Sequence, residues 1–246
     1  MAQNKKRIDL AVVEKGLAAS RPRAKALIMA GKIFVNERLV DKPGSTVSPH
    51  DTITLKGEDL PYVSRGGLKL EKALTEFEIH VDDLTCLDVG ASTGGFTDCL
   101  LKHGARRVYA VDVGYGQFAW NLRNDPRVVL IERTNIRHLP LEAIPVPVDL
   151  VAIDVSFISL KIVVPAVLKF LKNGSIIAAL IKPQFEVGKG QVGKGGVVRD
   201  PELHSFVLQD LTAVFEGLNF NVQAPIPSPI KGPKGNTEFL MALTYR

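Results

Sequence analysis

The chain has 246 residues, 46% hydrophobic and 23% charged, with a formal net charge of +5: enough for a large domain and a small one, in the balance of an ordinary soluble globular protein. Its apolar runs fall short of the ~18 residues a membrane span needs, the richest being broken by Asp154, Lys161 and Lys169, and no apolar stretch follows Lys5, Lys6 and Arg7 to form a secretory leader. Cys86 and Cys99 lack a C-x-x-C spacing and read as buried thiols in a reducing cytoplasm, and the five histidines show no spacing that suggests a metal site.

The charge is uneven. Residues 1–60 hold 11 lysines and arginines against 7 acids, which leaves +1 for the rest. A small basic module attached to a near-neutral larger one reads as a handle for a polyanion, or as a well-solvated surface. Along this module, Ile8, Ala11, Val12 and Leu17 make one apolar helical face, and Ser20 caps a second helix running to Met29, where Gly31 stops it. Residues 32–40 alternate about a turn at Asn36-Glu37, and a last strand covers 52–55. The second helix opens "SRPRAK", so Arg21, Arg23 and Lys25 must cluster outward at one end.

The stretch from "RIDLAVVEKG" through "GKIFVNERLV" to "DTITL" resembles the alpha-L type RNA-binding domain named after a small-subunit ribosomal protein. The resemblance implies phosphate contacts from Arg7, Arg21, Arg23 and Lys25, which bind backbone without reading sequence. Glu37 stands where that pattern usually carries glycine, which implies a looser turn and an acid near the RNA face.

The character changes after a linker at 59–63, so residues 1–58 and 64–246 are expected as separate domains. Five short apolar strands at 84–88, 108–112, 128–131, 148–153 and 176–181 alternate with helical segments. That pattern predicts βαβ units, a mostly parallel sheet and helices on both faces. Asp200-Pro201 opens a long helix with Leu203, Phe206, Val207, Leu211, Val214, Phe215 and Leu218 on one side, and two closing strands at 219–224 and 237–244 flank a loop with "KGPKGN".

"CLDVGASTGGFTDCL" reads as strand, glycine turn and helix, with Gly90, Gly94 and Gly95 letting the backbone approach a ligand where free N–H groups collect. Asp88 ends that strand, where it attracts a cationic amino group, and Asp112 closes the next, where it can hold ribose hydroxyls. Acids on both sides suit S-adenosylmethionine better than a dinucleotide. Each also reads as a turn cap; Ser92 reads as a ligand contact or a turn hydroxyl, and Asn135 in "ERTNIR" as an adenine contact or a turn residue.

In an open parallel sheet the crevice lies beyond the carboxyl ends of the strands, which is where Lys182 follows the run 176–181 and Asp154 follows 148–153. The two are expected to pair. In "SRGGLKLEKAL", Leu70, Ala73, Leu74 and Phe77 define a stripe that has Lys69 beside it and Lys72 pointing away. Glu238 begins the last strand.

"SRGGLKL", "DVGASTGGFTD", "VDVGYGQ", "IDVSFISL", "IKPQFEVGKGQVGKGGVVRDP" and "GNTEF" together resemble the TlyA (hemolysin A) family of FtsJ-like ribosomal-RNA 2′-O-methyltransferases. The resemblance implies a Rossmann-like class I methyltransferase domain with a seven-stranded sheet, acting in the cytoplasm on the ribose 2′-hydroxyl of a cytidine in ribosomal RNA or a ribosomal subunit. It places the catalytic set on Lys69, Asp154, Lys182 and Glu238. Its cofactor set falls on Asp88, Gly90, Gly94, Gly95, Asp112 and Asn135; Ser92 and Phe96 in the same turn are expected as further cofactor contacts, and Arg65, Lys189 and Lys194 as further RNA contacts. Lys182 could take the hydroxyl proton or stabilise a forming alkoxide. The glycine-rich segment 184–199 reads as a mobile basic flap. A membrane-lysing protein, a non-catalytic RNA-binding protein and a nicotinamide-dependent dehydrogenase are the competing classes.

Overall fold

The computed structural model describes residues 5–18, 20–29, 31–56, 60–188 and 190–246, and the chain divides into two units, residues 1–59 and 60–246. In the first, β1 (Lys6–Arg7) leads into α1 (Ile8–Glu14), followed by α2 (Arg21–Met29), β2 (Ile33–Val35), β3 (Arg38–Leu39), β4 (Thr46–Val47) and β5 (Ile53–Leu55). α1 ends three residues short of Leu17, because Gly16 takes a left-handed φ of +71°. Ile8, Val12, Ala24, Leu27, Ile28 and Ile33 form the core. β3, β2 and β5 make an antiparallel sheet, and β1 pairs with β4. Both turn residues of the β2–β3 hairpin are left-handed, Asn36 at φ +46° and Glu37 at +66°. Asn36 tolerates this conformation and accepts from the Thr52 amide at 2.9 Å; Glu37 adopts it with a side chain where glycine would carry no strain.

The second unit runs α3 (Gly66–Glu76), β6 (Thr85–Val89), α4 (Gly95–Lys102), β7 (Arg107–Val111), α5 (Trp120–Arg123), β8 (Val128–Ile131), β9 (Val148–Ile153), α6 (Leu160–Val167), β10 (Leu171–Ile181), α7 (Pro183–Glu186), α8 (Pro201–Gly217), β11 (Phe220–Val222), β12 (Ile226–Pro227) and β13 (Phe239–Tyr245). The sheet order is β11-β13-β10-β9-β6-β7-β8, with β12 also on β13. Neighbours from β10 to β8 are parallel, while β13 runs antiparallel to β10 and β11.

Two departures from the sequence pattern stand out. β10 starts five residues before the apolar run, crossing a register irregularity between Leu171 and Ile176 at Gly174 (φ +84°). The loop between the closing strands forms β12, too short to leave an alternating pattern.

Successive residues in a strand face opposite sides. Even positions such as Cys86, Leu150, Ala152, Ala178 and Leu180 pack with Leu70, Leu74 and Leu100 of α3 and α4. Odd positions such as Leu87, Val151, Ile153 and Ile177 pack with Val163, Val164, Leu211 and Phe215 of α6 and α8. Each fully buried aliphatic side chain contributes about 1.5–3 kcal/mol, so a sheet covered on both faces holds its strand ends firmly.

Candidate active site

The site lies at the carboxyl edge of the sheet. At the end of β6, Gly90 has φ +87°, and a Cβ there would sit 2.4 Å from the Asp154 carbonyl oxygen, so only glycine fits. Gly94 (φ +94°) caps α4, and a Cβ on Gly95 would lie 2.3 Å from Ser64 Oγ. Asp112 follows β7 and accepts from the Ser92 amide at 2.7 Å and the Gly114 amide at 2.6 Å. Gly90, Ser92, Asp112 and Gly114, with Asn135, Asp154 and Phe157, line a cavity of about 610 Å³, within the usual range for a small-molecule site; Gly94 and Gly95 are not part of its lining. Asn135 accepts from the Arg137 amide at 3.1 Å.

A second cavity of about 270 Å³ shares Gly90, Ser92 and Asp154 with the first and is otherwise lined by Arg65, Lys69, Gly95, Phe96, Lys182, Glu238 and neighbours. Four charges meet in its wall. Lys182 Nζ lies 2.6 Å from Asp154 Oδ1 and donates to Ser156 Oγ at 2.9 Å. Lys69 Nζ donates to Glu238 Oε2 at 2.6 Å. Lys69, Lys182 and Glu238 are buried, at 6%, 8% and 1% exposure. Strand parity explains the meeting: Asp154, Lys182 and Glu238 extend the even positions of β9, β10 and β13, on the face that α3 covers with Lys69.

Asp88 behaves differently from its neighbours. It lies inside β6 between Ala110 and Ala152, fully buried, and lines neither cavity. Its Oδ2 accepts from Thr97 Oγ at 2.7 Å, and its Oδ1 has no hydrogen-bond partner among the described residues. Burial pushes its carboxyl up to about 7, against the opposing pull of the Thr97 hydrogen bond.

Several supporting residues were missed in the sequence. Gly232 abuts Glu238 so closely that a Cβ would lie 2.0 Å from Oε1. Asn236, 3% exposed, accepts from the Val198 amide at 3.1 Å and donates to the Gly196 carbonyl at 3.0 Å. Glu186 accepts from Ser159 Oγ at 2.5 Å and from the Leu160 amide at 2.9 Å, with its carboxyl raised by burial. The signal available was small: "GNTEF" and "KPQFE" place polar residues beside a glycine or proline that marks a turn. Segment 184–199 is thus tied at both ends, by Glu186 and by the buried Val197 and Val198. Between them Lys194 is exposed, and Lys189 lies outside the described residues.

In the first unit, Arg7 donates to Asp9 through Nε at 3.1 Å and Nη2 at 2.9 Å, and Arg21 donates through Nε at 3.1 Å. The pair of guanidinium groups, Arg7 foremost, holds the Asp9 carboxyl down at about 2. Lys25 is exposed, Arg23 half-buried, and Arg65 exposed at the start of α3 in the second unit. Asp9 was invisible as a partner because it sits one residue from the apolar face of α1.

A sheet with one antiparallel insertion, a glycine turn after its first strand and an acid after its second defines a Rossmann-like class I methyltransferase fold. A Listeria monocytogenes structure described as S-adenosylmethionine-dependent shares this fold at 16% identity, with a TM-score of 0.55 over 74% of this chain and all of that one. Residues 62–245 match the FtsJ-like methyltransferase family and residues 6–53 the S4 domain. The chain belongs to the FtsJ-like methyltransferase family. It is 48% identical to the 16S/23S rRNA (cytidine-2′-O)-methyltransferase TlyA of Mycobacterium tuberculosis, over 96% of this chain and 89% of that one. A solved structure from Streptococcus thermophilus that carries a hemolysin name is 45% identical, with a TM-score of 0.77 over 99% of this chain and 90% of that one. Among the described residues no helix is long and apolar enough to cross a membrane.

Proposed function

We propose that this protein methylates the ribose 2′-hydroxyl of a cytidine in ribosomal RNA, in the cytoplasm, with S-adenosylmethionine as donor. The observation that carries the reading is the gathering of two ammonium–carboxylate pairs, Lys69–Glu238 and Lys182–Asp154, in a cavity that opens beside the glycine turn. The name of the Mycobacterium tuberculosis relative supports the substrate.

The larger cavity fits the donor. Asp112 uses one lone pair on each oxygen for a backbone amide and keeps others for ribose hydroxyls. Gly90, Ser92 and Asn135 line the same wall, while Asp88 is enclosed against Thr97 of α4 and reaches neither cavity. When bound, the donor supplies a methyl group already activated on a sulfonium. The protein's task is then alignment and the handling of one proton.

Lys182 does that task. Asp154 and Ser156 hold its nitrogen, and an ammonium with three N–H groups keeps one for the hydroxyl. Glu238 fixes Lys69 in the same wall, adding a second positive charge to draw electron density onto the attacking oxygen. The exposed Arg7, Arg21, Lys25, Arg65 and Lys194, with the half-buried Arg23, contact RNA phosphates.

Lys182→Ala is expected to lower kcat at least ~10³-fold while leaving donor affinity within about threefold. A tritiated-methyl assay on ribosomal RNA beside calorimetry with the donor checks both; full activity in the variant rejects the assignment. The pH profile separates the two roles of Lys182: a kcat that climbs as the amine loses its proton marks a base, and one that falls there marks a charge stabiliser.

A further inference from the structure

Among the described residues of the amino-terminal unit, Asp9 is the one charged side chain that is fully buried. It grips Arg7 by two nitrogens and Arg21 by one. Yet the two arginine side chains remain 45% and 47% exposed. Each guanidinium is therefore anchored on Asp9 through some of its nitrogens while its side chain stays about half exposed. One carboxylate also cannot cancel two cations, so the cluster keeps a net positive charge.

We propose that Asp9 is a positioning residue that fixes Arg7 and Arg21 as a preformed fork for backbone phosphates of RNA. This inference rests on the proposal that the unit holds RNA. An arginine free in water surrenders rotamer freedom when it meets a phosphate; one fixed at folding has already done so, and its planar fork arrives aimed. Simple electrostatics predicts the opposite effect: an anion beside a phosphate site repels the ligand, and removing it should tighten binding. The sign of one substitution decides between them.

The test is fluorescence anisotropy of the full-length protein with a labelled ribosomal-RNA transcript at several salt concentrations. Asp9→Asn, which adds one unit of positive charge, is expected to weaken binding about fivefold or more. The pair Arg7→Lys with Arg21→Lys keeps the charge but loses the fork, and is expected to weaken it similarly. Adding Asp9→Asn to that pair should then change little, since the three act as a unit. Asp9→Asn binding as tightly as the parent or tighter, with an intact thermal transition, overturns the inference; so does a lysine pair that binds like the parent. Should Asp9→Asn fail to fold, the half-exposed lysine pair decides alone. Arg7→Ala with Arg21→Ala separates the two levels. If it binds RNA like the parent, the RNA reading of this face fails too. If it loses affinity while Asp9→Asn does not, only the positioning role is rejected.

Discussion

Asp88 carries a carboxyl raised to about 7 by burial, with one oxygen on Thr97 and the other without a hydrogen-bond partner among the described residues. In the unfolded chain the same group titrates near ~3.9. Between those values the native state binds the proton and the unfolded state does not, so stability falls as pH rises from about 4 to about 7 and levels off above, once both states are ionised. Asp88→Asn removes that cost while its amide oxygen still accepts from Thr97. The variant is expected to be more stable than the parent by about 1–4 kcal/mol at pH 8 and by little at pH 4. Urea unfolding at the two pH values checks this, and an equal effect at both would show that Asp88 is not a buried, titrating acid. The sequence identified Asp88 as an acid before a glycine but could not say that it is enclosed. In a central parallel strand every side chain is covered, and "TCLDV" has the same look whether its aspartate points at a ligand or under α4.

At the scale of elements, α7 is the piece that pattern reading could not find. Four residues leave no periodicity, and the five glycines that follow make the segment look like loop throughout. Glu186, the last residue of α7, accepts from Ser159 and Leu160 at the start of α6, and Phe185 meets Phe157 with ring centroids 5.0 Å apart. These contacts join the segment that begins at Lys182 to the one that begins at Asp154. Glu186→Ala is expected to cost about 1–3 kcal/mol of stability, because the Leu160 amide loses its acceptor. It should also lower kcat about tenfold or more by loosening Lys182 against Asp154, since small misplacements of reacting groups are costly. Glu186→Gln keeps a carbonyl acceptor and should recover most of both. Parallel thermal melts and methyl-transfer assays check this; normal kcat in the destabilised alanine variant would separate α7 from catalysis. Lys69, by contrast, was legible, because an eleven-residue helix fixes direction through its apolar stripe. Asp154, Lys182 and Glu238 were legible as charges at strand ends, and their convergence was written in a simpler signal. All three are even-numbered and adjoin strands whose even positions share one face, Asp154 and Lys182 just after β9 and β10 and Glu238 just before β13.

For the whole molecule, the shift in charge at about residue 60 marks the division, because it separates a unit with its own small core from one with two cores of its own. Every residue lining the two cavities of the candidate site belongs to 60–246. A fragment spanning 60–246 is therefore expected to fold, with donor affinity within about twofold of the full chain, because no wall of either cavity is removed. Its RNA affinity should fall much further. Residues 1–60 carry 11 basic side chains against 7 acids, and each lost phosphate contact flattens the dependence of log affinity on log salt by roughly 0.7–0.9. Loss of two to four contacts would lower the slope by about 1.5–3.5. Calorimetry with the donor and anisotropy with a ribosomal-RNA transcript, run on the fragment and the full chain across a salt series, check the two halves independently. A fragment that keeps the parent's salt slope would place the phosphate contacts on the catalytic unit itself, and the basic module would then need another ligand.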